Sequence, residues 1–259
     1  MAGLVNTIVL VTGGSGGLGR VLAHAFARQG SRVVISARSE AKLKAAAEEI
    51  GRDGGQVLAL PCDVTKKKQV DDLAAAIATR WGAVQILINN AGVARAASIL
   101  ETTESMWEEI LRTNLTGAFY CCQAFLPGMI EAKWGRIINI GSTTSKVGYS
   151  HVAAYVSSKH GLLGLTRALA LETARAGITV NAICPGYLDD ELTRDNAQRM
   201  AQKTGKSAEQ ILASFASTAP QKRLIDPDEV AGLALLLASE KLAGMTGQAV
   251  SVDGGATMS

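Results

Sequence analysis

Aromatic side chains are scarce in this chain, at 4% of 259 residues, and histidine is scarcer still, with three copies. His24, His151 and His160 stand far from any cysteine pair, so no zinc-ligand spacing exists and no metal site is expected. The four cysteines, Cys62, Cys121, Cys122 and Cys184, form no CxxC and no even disulfide framework, which points to a reducing, cytoplasmic compartment. Charge of either sign is also thin. Net charge is +3, and the longest basic run is the Lys66–Lys68 triplet, too little for a nucleic-acid footprint. No apolar run reaches the ~18 residues that span a bilayer, and the opening "NTIVLVTGG" reads as a short strand rather than a signal peptide. A charged fraction of 19% is low for a fully solvated surface, so part of the surface is expected to be covered by sister subunits.

What the chain has in quantity is apolar residues, 47%, in a repeating order. Short β-branched runs recur at residues 7–12, 32–37, 56–61, 84–90, 136–142, 178–184 and 248–254, with helical stretches such as "EAKLKAAAEEIG" between them. The runs are near-continuously apolar, as strands are when helices cover both faces of a parallel sheet. Strict alternation over the whole length predicts one α/β domain, a doubly wound, Rossmann-type, mostly parallel sheet of seven strands. Residues 185–217 interrupt the pattern with a long polar segment after a strand's carboxyl end, where open sheets bind ligands; a substrate lid is expected there.

Glycine is the other abundant residue, with 27 copies. "TGGSGGLG", Thr12 to Gly19, lies between the first strand and the next helix. Glycines there let the backbone approach a pyrophosphate, which the helix N-terminus stabilises. Further on, Tyr155 precedes Lys159 by one helical turn, which puts phenol and ammonium on one face. An ammonium beside a phenol lowers its pKa toward the range useful for acid–base chemistry. Ser142, at the end of the fifth strand, can hydrogen-bond a substrate oxygen as charge develops on it.

The spacing Gly13-xxx-Gly17-x-Gly19 resembles the TGxxxGxG signature of short-chain dehydrogenases/reductases. Asp63-Val64, "NNAG" (Asn89 to Gly92), Asn114, Ser142, Tyr155, Lys159 and Pro185-Gly186 follow in that family's order, over essentially the whole chain. The resemblance implies a nicotinamide cofactor held by Gly13, Ser15, Gly17, Leu18, Gly19, Asp63, Val64, Asn90, Ala91, Gly92, Pro185, Gly186 and Leu188, together with Tyr155 and Lys159. It implies a catalytic group of Asn114, Ser142, Tyr155 and Lys159. Tyr155 exchanges the proton, Lys159 contacts the nicotinamide ribose, and Asn114 holds a water that relays protons to Lys159. The family also implies a homotetramer.

Arg38 follows the second strand, and Ala37 offers no carboxylate for a ribose 2′-hydroxyl. An arginine fork pairs well with a 2′-phosphate, so NADP(H) is favoured over NAD(H). "STTSKVGYSHVAAYVSSKHGLLGLT" and "GITVNAICPGY" look most like 3-oxoacyl reductases, polyketide ketoreductases and 3-hydroxybutyrate dehydrogenases. A 3-oxoacyl or 3-hydroxyacyl substrate is therefore expected, with Ser142, His151 and Tyr187 as candidate contacts. A cyclic or aromatic secondary alcohol, or a non-catalytic nucleotide-binding partner subunit, are the rival readings. The chain departs from the family where a threonine usually follows Pro-Gly by four residues: here Asp190 stands between Asp189 and Glu191. Three consecutive acids predict an outward-turned Asp190 on a loosely closed lid, with pairing to Arg194 as the alternative.

Overall fold

The computed structural model describes residues 4–258 and shows seven parallel strands in the order β3-β2-β1-β4-β5-β6-β7. The strands are β1 (Ile8–Thr12), β2 (Arg32–Ala37), β3 (Gln56–Pro61), β4 (Ile86–Asn89), β5 (Gly135–Ile140), β6 (Ile178–Pro185) and β7 (Ala249–Val252). Every pairing is parallel, so all seven carboxyl ends lie along one edge. The order reverses between β1 and β4, and a crevice opens there.

Continuous apolar runs in β1, β4, β5 and β6 are buried along their whole length, because alternate residues meet different helical layers. Val9 and Val11 pack with Leu18, Leu22 and Phe26 of α1 (Gly17–Arg28), Leu43 and Ile50 of α2 (Glu40–Arg52), and Val230 of α9 (Pro227–Ala238). Ile8 and Leu10 face the opposite layer. There they meet Leu73 and Ile77 of α3 (Lys67–Arg80), Phe125 and Met129 of α5 (Gly117–Ala132), and Ala170 of α6 (Ala153–Thr173). Cys121 and Cys122 belong to that second layer, and burial pushes the Cys122 thiol up to about 12.

Segment 185–217 is not a loop. It folds into α7 (Glu191–Thr204) and α8 (Ala208–Ala216), closed over a small apolar cluster of Ala197, Ile211 and Phe215. Polar caps start them: Asp190 accepts from the Thr193 amide at 2.9 Å, and Ser207 forms a reciprocal capping box with Gln210. The polar composition reflects two helices with one thin apolar stripe each.

Candidate active site

Thr12, the last residue of β1, ties the first loop to the fourth. Its Oγ1 donates to the Ile88 carbonyl at 3.3 Å and accepts from the amides of Asn90 and Ala91 at 3.0 and 3.1 Å. Asn90 answers by donating Nδ2 to the Thr12 carbonyl at 2.9 Å. The two loops are thereby held so close that a β-carbon on Gly13, at φ +67°, would lie 3.0 Å from the Ala91 Cα. A β-carbon on Gly19 would lie 2.2 Å from the Gly13 carbonyl oxygen, which only glycine avoids.

Gly16 begins α1 without a side-chain cap, and no acid stands in its first turn. Its leading amides, including that of Leu18, are left for an anion. Leu18 itself is buried in the core, and Ser15 is half-buried at the loop. A pyrophosphate fits this donor set and this glycine cradle.

Around the cradle, Arg38 is exposed just beyond β2, on the side of the Arg95–Glu109 ion pair. Arg95 holds the Glu109 carboxyl below its usual range, with a smaller contribution from Arg38. Asp63 follows β3 and accepts from the Thr65 amide and hydroxyl at 3.0 and 2.8 Å, which fixes its carboxylate at the crevice rim. Val64 is buried against Gly117.

Asn114 lies in a π-helical turn, Arg112–Thr116, inserted between α4 (Glu104–Leu111) and α5, rather than in the regular helix its neighbours suggest. Such a turn widens the backbone and disturbs its regular hydrogen-bond ladder. The side chain is clamped from two directions. Oδ1 accepts from the Val93 amide at 2.8 Å, while Nδ2 donates to the Val93 carbonyl at 2.9 Å and to Ser158 Oγ at 3.0 Å. Ser158 in turn donates to the Tyr155 carbonyl at 2.8 Å. This buried serine links Asn114 to the helix that carries Tyr155 and Lys159, and the sequence reading did not single it out. Its signal was the i, i+3 spacing from Tyr155 on a small-residue helix.

Ser142 follows β5 and opens a short 3₁₀ turn, Thr143–Ser145, accepting from the Thr144 amide at 3.2 Å. Its hydroxyl also lies near enough to Tyr155 to favour the phenolate, which opposes the dominant influence on that phenol. Burial is dominant, and it pushes Tyr155 up to about 12. The expected lowering by Lys159 is absent, because the ammonium is committed elsewhere. Lys159 Nζ donates to the Ile140 carbonyl at 2.7 Å and lies 5.7 Å from the Tyr155 ring centre. Burial brings Lys159 down to about 8. At neutral pH the site therefore holds a protonated phenol and a largely protonated amine.

Pro185 ends β6, and Gly186 packs so closely on Asp253 that a β-carbon would lie 3.1 Å from the Asp253 Cα. Leu188 bridges to Ile225, which seats the start of the lid on the body of the sheet. Next to Ser142 in sequence, Thr143 joins Tyr149, Tyr187, Phe215, Thr218 and Arg223, among others, in lining a narrow cleft of about 10 Å³. Tyr187 stacks on Phe215 at 4.3 Å and an interplanar angle of 2°. His151 stands apart from that lining. It precedes α6 in a turn at φ +62°, is exposed, and accepts through its carbonyl from the Ala97 amide.

Asp190 corrects the expectation most. It neither turns outward nor pairs with Arg194, which instead pairs with Asp189. One oxygen of Asp190 caps α7, and the other faces the glycine loop, where a β-carbon on Gly17 would lie 3.4 Å from Oδ2. Local capping is satisfied by one oxygen alone, so the carboxylate turns inward without a basic partner from its own helix.

Among the described residues no cluster of three or more His, Cys, Asp or Glu is placed to hold a metal, and no helix is long and apolar enough to cross a membrane.

Three comparisons bear on this geometry. A family model described as short chain dehydrogenase matches residues 7–201. The chain is 41% identical to the "Uncharacterized oxidoreductase YxjF" of Bacillus subtilis (strain 168), covering 96% of this chain and 98% of that one. It is 37% identical to a D-beta-hydroxybutyrate dehydrogenase of Rhizobium meliloti (strain 1021), covering 96% and 97%. Among solved structures, a single-substitution variant of actinorhodin polyketide ketoreductase with NADPH superposes with a TM-score of 0.94 at 36% identity, over 99% of each chain.

Proposed function

The chain belongs to the short-chain dehydrogenase family, and from that premise we propose that it is an NADP(H)-preferring reductase of 3-oxoacyl compounds, as free acids or thioesters. The observation that carries the reading is the protonated, half-buried Tyr155 next to Ser142 and 5.7 Å from the Lys159 amine, together with the uncapped N-terminus of α1 at the glycine loop. When bound, the nicotinamide supplies or accepts the hydride. Gly13, Ser15, Gly17, Leu18 and Gly19 would hold its diphosphate. Asp63, Val64, Asn90, Ala91, Gly92, Pro185, Gly186 and Leu188 would line the rest, and Arg38 would pair with a 2′-phosphate.

In carbonyl reduction Tyr155 gives its proton to the substrate oxygen, and Ser142 donates a hydrogen bond to that oxygen as negative charge grows there. A phenol at about 12 keeps its proton throughout the neutral range, so the free site carries the proton that carbonyl reduction consumes. Lys159, held between the Ile140 carbonyl and the Tyr155 ring, supplies positive charge beneath the phenol when that proton departs. Asn114, fixed by Val93 and Ser158, would hold the route by which Lys159 regains a proton.

The substrate class rests on kinship. A relative named for D-beta-hydroxybutyrate and a solved structure named as a polyketide ketoreductase both act beside a second oxygenated carbon. The phenols and hydroxyls of the narrow cleft next to Ser142, with Tyr187 in its wall, offer polar partners for such a compound once the cleft opens. Residues 185–217 would then serve as its lid. A spectrophotometric panel of β-keto esters, β-keto thioesters and cyclic ketones, each with NADPH and NADH, tests the reading. Turnover confined to cyclic ketones, or none with any substrate, would refute it.

A further inference from the structure

The N-terminus of α1 has no cap of its own and no acid in its first turn, yet two carboxylates reach it from far along the chain. Both come from the start of α7. Asp190 Oδ2 lies 3.4 Å from where a β-carbon on Gly17 would be, and Glu191 Oε2 lies 3.5 Å from the same point on Gly16. Gly16 and Gly17 are the N-cap and the first residue of α1, where the helix dipole and its free amides draw negative charge. Arg194 is engaged by Asp189, so it does not neutralise Asp190. Asp190 also makes a minor contribution, behind burial, to raising the Tyr155 phenol, so its charge is felt at the catalytic residues as well as at the glycine loop.

We propose that Asp190, assisted by Glu191, is an internal anion that holds the start of the lid against the phosphate cradle, so that a cofactor diphosphate enters by displacing it. A diphosphate seated on that N-terminus would lie a few ångströms from both carboxylates, and like charges that close repel. Cofactor capture and release of α7 become one event. The cost of the competition is carried in cofactor affinity. The inference rests on the nicotinamide-binding reading of the same cradle.

The test is a fluorescence titration of the full-length protein with NADPH at fixed ionic strength, for wild type, Asp190→Asn, Asp190→Ser and Glu191→Gln. Asparagine and serine keep the helix cap and remove the charge. Asp190→Asn and Asp190→Ser should each bind NADPH about tenfold tighter, the size of one unscreened like-charge contact. Glu191→Gln should shift in the same direction by less. Limited trypsin digestion without cofactor adds a reading of the lid itself: cleavage after Arg194 and Arg199 should be faster in Asp190→Asn than in wild type. Equal or weaker NADPH binding by both Asp190 variants overturns the inference, as does unchanged cleavage. A wild-type protein that binds no nicotinamide nucleotide at all overturns the functional reading instead.

Discussion

Replacing Lys159 with methionine should destroy turnover and yet stabilise the cofactor-free protein at neutral pH. The side chain is only 5% exposed, and burial lowers its pKa from 10.5 to about 8. That difference corresponds to about 3 kcal/mol of strain in the charged form, at ~1.4 kcal/mol per unit. Methionine keeps most of the stem's volume and carries no charge. It loses the donor to the Ile140 carbonyl, a contact of 2.7 Å whose loss costs about 1 kcal/mol. The net gain at pH 7 is then about 2 kcal/mol, or roughly 5 °C in Tm for a domain of this size.

The dependence on pH is the sharper signature. Between pH 8 and 10.5 the unfolded lysine is protonated while the folded one has lost its proton, so wild-type stability rises with pH across that window. The advantage of Lys159→Met is therefore full below pH 8, shrinks above it, and gives way to a deficit of about 1 kcal/mol once both states are neutral. Cys62 and Cys122 titrate in both proteins and cancel in the difference, whereas Cys184, whose thiol Lys159 lowers, moves up in the variant and adds a smaller change of its own. Urea unfolding of the two proteins at pH 7 and pH 10, without nucleotide, measures it. A variant less stable than wild type at pH 7, or a gap that ignores pH, would show that burial is not what sets this amine's proton affinity.

Tyr155→Phe removes the proton donor and little volume, so kcat should fall ~10²–10⁴-fold while NADPH affinity stays within twofold of wild type, as read by stopped-flow turnover and titration. Ala37→Asp combined with Arg38→Leu should reverse the cofactor preference toward NADH, because a carboxylate repels a 2′-phosphate and the arginine fork is gone; kcat/KM for both nucleotides decides it, and a wild type already favouring NADH would reduce Arg38 to a solvated side chain. Leu171 is 84% exposed on α6 and Phe119 42% exposed on α5, apolar surface that a sister subunit would cover; light scattering should give a homotetramer at micromolar concentration, and a monomer would contradict the low surface charge argument.

The strands and most helices were legible because continuous apolar runs have one physical use in an α/β chain, burial on both faces. Their ends were less so. Residues 84–90 read as one strand, but only Ile86–Asn89 pairs, since Asn90 turns back to bond the Thr12 carbonyl. The positions of the tetrad followed from motif spacing, and its electrostatics did not. Spacing places an ammonium one turn from a phenol, but desolvation depends on what surrounds both, which spacing does not encode. The π-helical turn at Asn114 has no composition signal in "LRTNLTG", because what holds it open is the Val93 backbone and Ser158, both distant in sequence. Asp190 defeated local reasoning for the same reason: three adjacent acids look for nearby cations, while the positive end of α1 is some 170 positions away and its one basic side chain there, Arg20, is paired with Glu49.

These failures share a pattern that bears on how the protein can be altered. Lys159, Asn114, Ser142 and Asn90 each bond the backbone of an adjacent strand, loop or turn, so the sheet's own spacing sets their separations. Substituting any of them disturbs packing as well as chemistry. Arg38, Tyr187 and Asp190 stand on loops at the carboxyl edge, where surfaces are exposed or only half-covered. On the proposed reading, cofactor choice, cleft shape and lid release are thus written in side chains that the core does not need. Changes there should move affinity and selectivity by factors of ten without lowering the unfolding temperature, whereas changes in the anchored group should move both together. The exception is Lys159, whose anchoring is itself the strain. There activity and stability are expected to part in opposite directions, because the charge the proposed reaction uses is one the fold would be steadier without.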